Sequence, residues 1–328
     1  MLSLESYRFC LGSLECIVIK DGTILGSKNN SKRLSLLILS VFLILVPLYL
    51  YSCGGGSDYD NPQLQATSAS VLITPQTLNS WITYGYGVDD HGFNKIVVLD
   101  VTSATGTTSY TTTGHVPGAF LVEPTADLNA ERTDGVSSVI AEVATRSQIE
   151  DVIHRTGIDQ NTVVVITGDS LLNVGTAYFT FRYWGFPKER LKVMNGTNKT
   201  YTVAGFSLDT TVPPAPTPST YSVCQLTQNT SMRAALSDMI SLAEGAVPNG
   251  LAWDVRTPDE YNGVAGKTAG PTGAANGYTA FEGHVKGAVN LNYTTLLSSD
   301  QSAFLDKETM RTALNSIGIT ADKRTHVY

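Results

Sequence analysis

One order of short motifs occurs twice along this chain, and an internal duplication constrains the fold more than any single segment does. The first copy has the β-rich run Ile96-Val-Val-Leu-Asp100-Val-Thr, which carries an acid near its end, and then Gly114-His115-Val-Pro117-Gly118-Ala119. A helical stretch, Arg146–Arg155, follows and is closed by Thr156-Gly157; after it comes the apolar strand Val163–Ile166. The second copy has Leu251-Ala-Trp-Asp254-Val-Arg256-Thr-Pro-Asp-Glu260-Tyr261, then Gly283-His284-Val-Lys-Gly287-Ala288-Val-Asn290. Helix Lys307–Leu314 comes next, is stopped by Gly318, and leads to Thr325-His-Val-Tyr328. Strands that alternate with helices predict βα units, and hence an α/β fold with two domains, each a parallel sheet flanked by helices on both faces. The segment Val212-Pro-Pro-Ala-Pro-Thr-Pro-Ser219 is stiff and extended, because each proline fixes its own φ and restricts the residue before it. It divides the chain into a first domain over 75–210, a linker over 211–219 and a second domain over 220–328.

The other dominant feature is the apolar run Leu34–Leu50, preceded by Lys32-Arg33 and followed by Tyr51-Ser52-Cys53-Gly-Gly-Gly. It is long enough for an anchor helix, but the basic flank, apolar core and small residues have the pattern of a secretory signal. Leu50-Tyr51-Ser52-Cys53 resembles a bacterial lipobox, which implies that Cys53 carries lipid and begins the mature chain. Residues 1–53 are then a leader and signal peptide, and the Gly-rich stretch 54–74 is a flexible tether. The protein is expected in the bacterial cell envelope, lipid-anchored on the periplasmic side or at the outer membrane. Residues 1–27 carry no obvious structure and suggest a misassigned start codon.

With 328 residues, 42% hydrophobic and only 16% charged, the chain can bury one or two cores of ordinary size. The formal net charge of −7, with no basic run after the signal, excludes a nucleic-acid footprint. Of the four cysteines, Cys10 and Cys16 fall in the leader and Cys53 at the lipidation site. Cys224 is left alone and reads as a bystander. No internal disulfide, metal-ligand spacing or cofactor motif is present.

Asp254-Val-Arg256-x-Pro-x-Glu260-Tyr261 followed by Gly283-His284-Val-x-Gly287-Ala288-x-Asn290 resembles the rhodanese (sulfurtransferase) domain, and the duplication resembles the two-domain rhodaneses. The resemblance covers about residues 75–328. It implies a ping-pong transfer of sulfane sulfur between small donor and acceptor molecules, with the C-terminal copy as the active one. It also implies that the strand equivalent to Val163–Ile166 delivers a six-residue loop headed by the nucleophilic Cys. Backbone N–H groups of that loop and the positive end of the next helix stabilise the thiolate and its persulfide. In the first copy this loop is Gly168-Asp169-Ser170-Leu171-Leu172-Asn173. Gly168 cannot attack, Asp169 opposes an anion, and Ser170 has no evident base, so this copy is expected to be catalytically silent.

An ungapped alignment of Gly318–Tyr328 on Gly157–Thr167 puts the second nucleophile immediately after Tyr328. The chain is therefore expected to be truncated just before its second active-site loop and to be inactive by itself, with a cysteine or, at a UGA codon 329, a selenocysteine as the missing nucleophile. Among supporting residues, Asp254 and Arg256 match the family's strand-end acid and arginine and read as an ion pair holding the adjacent loop. Glu260 stands where two-domain members can carry a substrate-binding arginine, which counts against thiosulfate as the donor. His115 and His284 read as turn histidines, and Arg182 and Trp184 as packing residues. The alternative is a non-catalytic rhodanese-fold lipoprotein that docks another envelope protein, because a fold hosts many functions.

Overall fold

The computed structural model describes residues 7–11, 15–20, 23–24, 70–133, 138–267 and 282–327. They fall in two compact units, Met1–Asp60 and Asn61–Tyr328. In the first unit, strands β1 (Tyr7–Leu11), β2 (Glu15–Lys20) and β3 (Thr23–Ile24) form an antiparallel sheet in the order β1-β2-β3. This corrects the expectation of no structure before residue 27. The signal was available, because Cys16-Ile-Val-Ile19 is β-branched-rich and Asp21-Gly22 is a favoured hairpin dipeptide. The apolar run Leu34–Leu50, Cys53 and residues 54–69 of the expected tether lie outside the described residues, whereas Leu72–Ile73 at its end is a strand paired with Val193–Met194, so the ordered part begins before residue 75. Among the described residues, no helix is long and apolar enough to cross a membrane.

In the second unit the strands are β4 (Leu72–Ile73), β5 (Lys95–Val101), β6 (Phe120–Val122), β7 (Asn129–Thr133), β8 (Ser138–Val143), β9 (Thr162–Gly168), β10 (Leu191–Met194), β11 (Gly250–Asp254), β12 (Val289–Asn290) and β13 (Arg324–Val327). The helices are α1 (Pro75–Tyr84), α2 (Pro124–Leu128), α3 (Arg146–Arg155), α4 (Leu171–Tyr183), α5 (Asn198–Val203), α6 (Leu236–Ala243), α7 (Pro258–Tyr261) and α8 (Lys307–Ser316). A five-stranded parallel sheet runs β4-β10-β9-β5-β6, and a three-stranded parallel sheet runs β12-β11-β13. The duplication is thus visible in three dimensions, since β6-β5-β9 and β12-β11-β13 are the same three strands in the same order. β7 and β8 add an antiparallel hairpin that the sequence motifs do not show.

The first sheet is buried on both faces, as a parallel sheet requires. Leu99, Val101, Val164 and Ile166 pack with Ile149, Val152 and Ile153 of α3 and with Phe181 of α4. Val98 and Val165 face the other way, onto Leu78 of α1 and Tyr201 of α5. Helix α3 starts at a Thr145/Gln148 capping box and is stopped at Gly157, whose φ of 70° a side chain would resist. Gly318, with φ 85°, stops α8 in the same manner.

The packing of the first domain does not end at residue 210. Tyr221 and Val223 enter its core, and Leu226 and Phe304 pack against it. Buried Arg190 donates to the Tyr221 hydroxyl at 2.9 Å and lies 4.9–5.5 Å from the Phe93, Phe186 and Tyr221 ring centres. From the second repeat, the Ser302 carbonyl accepts from Thr197 N at 3.1 Å, and Phe304 N donates to Asn195 Oδ1 at 2.9 Å.

Candidate functional site

In an open parallel sheet the carboxyl ends of the strands, where chains diverge into loops, are the natural place for a site. Both strand-end aspartates lie there. Asp254, the last residue of β11, is fully buried and ion-paired to Arg256. Arg256 Nη2 donates to Asp254 Oδ2 at 2.6 Å and Arg256 Nε to Oδ1 at 3.0 Å, a two-point contact that suits the planar guanidinium. The same Nη2 donates to the Gly283 carbonyl at 2.7 Å, so one side chain ties the strand end to the Gly-His turn. Asn290 Nδ2 closes the frame by donating to the Asp254 and Arg256 carbonyls, each at 3.0 Å.

His284 stacks on Tyr261, with ring centres 3.8 Å apart and planes within 9°. Its Nδ1 lies 2.8 Å from the Tyr261 carbonyl; a carbonyl only accepts, so Nδ1 carries the proton. The Tyr261 hydroxyl donates to the Ala288 carbonyl at 2.8 Å. The first repeat builds the same unit from Tyr110, His115 and Ala119: the rings stack at 3.6 Å, His115 Nδ1 lies 2.9 Å from the Tyr110 carbonyl, and the Tyr110 hydroxyl donates to Ala119 O. Sequence reading finds both histidines and misses the tyrosines as their partners. The two pairs are five residues apart in one copy and twenty-three in the other, because Val264–Ala280 is inserted between them. Glu260 is half-buried and acts locally: its Oε2 accepts from Thr257 N at 3.0 Å and Oγ1 at 2.7 Å, completing the capping box of α7.

The first repeat differs at the aspartate. Asp100 is fully buried, and Thr102 stands where Arg256 stands. Asp100 Oδ2 accepts from Asn198 Nδ2 at 2.8 Å and Thr167 Oγ1 at 3.3 Å. Burial pushes its carboxyl above the ordinary range, and the neighbouring polar groups only partly offset this. Gly168 pairs with Val101 at the end of β9, and an added Cβ would lie 2.6 Å from the Val101 carbonyl oxygen. The backbones approach too closely there for any side chain. Asp169 is exposed at the rim, with its carboxyl raised by the protein around it, and the Ser170 side chain makes no capping hydrogen bond to α4. Arg182 closes the end of α4 by donating to the Phe186 carbonyl at 2.5 Å, and Trp184 just beyond the helix donates to Ala144 O at 3.0 Å.

Strand pairing relates the two loops. Leu99 pairs with Ile166 and Val101 with Gly168; in the second sheet Trp253 pairs with Val327. The described part of β13 ends at Val327, one residue short of the position equivalent to Thr167 in β9. Cys224 is exposed, remote in sequence from either loop, and touched by the Arg146 guanidinium. Among the described residues Asp89, Asp90 and His91 bring potential metal ligands together on the surface.

No family model matches the chain. A sulfur carrier protein, TtuD of Thermus thermophilus, is 31% identical over 221 residues, covering 66% of this chain and 71% of that protein. A Haloferax volcanii protein named as a thiosulfate sulfurtransferase is 26% identical over 220 residues, covering 65% and 68%. Among solved structures, the 3-mercaptopyruvate sulfotransferase SseA of Escherichia coli superposes with a TM-score of 0.58 over 79% of this chain and 87% of its own, at 15% identity. With two parallel sheets built alike and this extent of shared sequence, the chain belongs to the rhodanese-like sulfurtransferases.

Proposed function

We propose that this protein moves sulfane sulfur through a cysteine or selenocysteine at the position after Tyr328, with the first repeat silent. The single observation that carries this reading is the matched strand register, in which Trp253–Val327 repeats Leu99–Ile166 and so aligns that position with Gly168. The anionic chalcogen attacks the outer sulfur of a small donor. The sulfur–sulfur bond of the donor breaks, the donor remnant leaves with the electron pair, and a persulfide-type bond forms on the protein. An acceptor nucleophile then attacks that outer sulfur and releases the anion again, so no external oxidant or reductant is needed. Asp254 and Arg256 hold the strand end and the Gly-His turn in place while this happens. Glu260 adds negative charge nearby and disfavours dianionic donors.

The test compares chains extended beyond Tyr328 in the gene's own frame, carrying Cys, selenocysteine or Ser at that position. Mass spectrometry should find one added sulfur atom on the Cys or selenocysteine protein after exposure to a donor, and none on the Ser protein. Turnover to cyanide should follow the same pattern and be absent from a chain ending at Tyr328. Equal activity in the Ser protein would sink the proposal. A gene with no frame continuing past that codon would do the same.

We further propose that lipid on Cys53 holds the protein in the bacterial envelope. The support is the Lys32-Arg33 flank, the apolar run and the Leu-Tyr-Ser-Cys box. Membrane-extracted protein should show a diacylated N-terminal Cys53; normal processing and anchoring of Cys53→Ala would refute it.

A further inference from the structure

The second repeat covers its strand-end aspartate with a guanidinium, whereas the first repeat offers a threonine hydroxyl. Around Asp100 the polar groups do not balance. Asp100 Oδ1, Asn198 Oδ1 and His115 Nε2 are all buried without a hydrogen-bond partner of good geometry. Asp100 and Thr102 are 0% exposed and Asn198 4%. A carboxylate and an amide oxygen can only accept, and Nδ1 of His115 is committed to Tyr110 O. The Asn198 amide is oriented by its bond to Asp100 Oδ2, which leaves its own oxygen unpartnered. The Thr102 hydroxyl acts on both Asp100 and Asp169, which links the buried group to the exposed rim. Buried acceptors without donors are costly, and such a cluster calls for positive charge.

We propose that the degenerate site of the first repeat binds a divalent hard cation, held by Asp100, Thr102 and Asn198 with Asp169 at the rim, where the second repeat places the guanidinium of Arg256. The donors are all oxygen, the set that suits Ca²⁺, which takes six to eight oxygen ligands and completes its shell with water on an open side. His115 stays outside the shell. The amino end of α4 brings about half a positive charge nearby, and two carboxylates outweigh it. The internal comparison supplies the logic: a fixed cation lost at position 102 is replaced by a soluble one. This proposal does not depend on how the second repeat performs chemistry.

The probe is calcium chloride, titrated into the chelator-treated full chain and read by calorimetry and by thermal unfolding. Sparse oxygen sites bind at about 0.1–1 mM, so one site should fill by about 10 mM, and Tm should rise with concentration by mass action. Asp169→Asn, an exposed change that leaves the core alone, should weaken Kd at least tenfold. Thr102→Arg should abolish binding and hold Tm at or above the calcium-free value of the parent. Asp90→Asn, in the exposed surface cluster, should leave binding as it was. Absence of heat and of a Tm shift would overturn the proposal, and would leave water or a protonated Asp100 to fill the cluster. Binding that is unchanged in Asp169→Asn, or lost in Asp90→Asn, would overturn it equally. Should Thr102→Arg not fold, Asp169→Asn decides.

Discussion

Asp254 and Asp100 are buried in equivalent strand positions and are stabilised by different means, which gives two predictions at the scale of single residues. Asp254 relies on Arg256, and removing one partner of a buried ion pair leaves an uncompensated charge that typically costs about 3–5 kcal/mol. Arg256→Ala should therefore lower the unfolding free energy of the second repeat, read from urea denaturation, by that order, and retention of parental stability would show that the pair contributes nothing. Asp100 has no guanidinium, and its folded-state carboxyl is raised by burial. A raised acid contributes its stability below the unfolded value, about 3.9, and loses it as pH rises through the folded value. In chelator, Asp100→Asn removes that loss, so the stability of the variant relative to the parent should climb as pH goes from 4 towards neutrality. A pH-independent difference would contradict the sign of the shift.

Among elements, the most informative is the turn from β9 into α4. The residue types Gly168-Asp169-Ser170 already suggest silence, but the geometry adds that no nucleophile fits. A Cβ at 168 would press on the Val101 carbonyl at 2.6 Å, and overpacking of that kind typically costs about 1–3 kcal/mol. Gly168→Cys should therefore lower Tm and yield no persulfide; a stable, sulfur-accepting variant would show that the loop can open. Other elements differ in how far local sequence specifies them. Helix α3 is legible because its stop at Gly157 and its apolar face are local. Strand β10 is not, since Leu191-Lys-Val-Met194 is short and its buried Lys192 depends on distant partners, Nζ reaching the Ser70 carbonyl at 3.0 Å.

At the scale of the whole second unit, the stiff Pro-rich segment suggests a clean division at residue 210, but the first domain continues to Leu226. Ser219 N donates to His154 O at 3.0 Å, His154 Nε2 lies 3.0 Å from Tyr221 O, and Tyr221 packs beneath Arg190. Limited proteolysis should give a resistant fragment from about residue 70 to about 226, because cleavage requires local opening and this backbone is tied into a core. A fragment ending near 210 would show that the segment is loosely held. Elsewhere the second repeat is thinly covered: α8 buries no residue, and Leu236, Ile240 and Val327 are exposed.

The sequence by itself determined the duplication, the α/β class, the strand-end acids, the Gly-His turns and the missing nucleophile of the first loop. Each of these is carried by residue type at short range, where backbone preference and hydrophobic pattern act directly. Tertiary structure alone decided that Tyr110 and Tyr261 carry the stacked histidines, that residues 219–226 and Phe304 complete the packing of the first repeat, and that Asp100 lies among unpartnered acceptors while Asp254 is paired. Those facts depend on groups far apart in the chain meeting in a low-dielectric interior. The energy of a buried polar atom is set by the neighbours it meets there, and no local pattern records them.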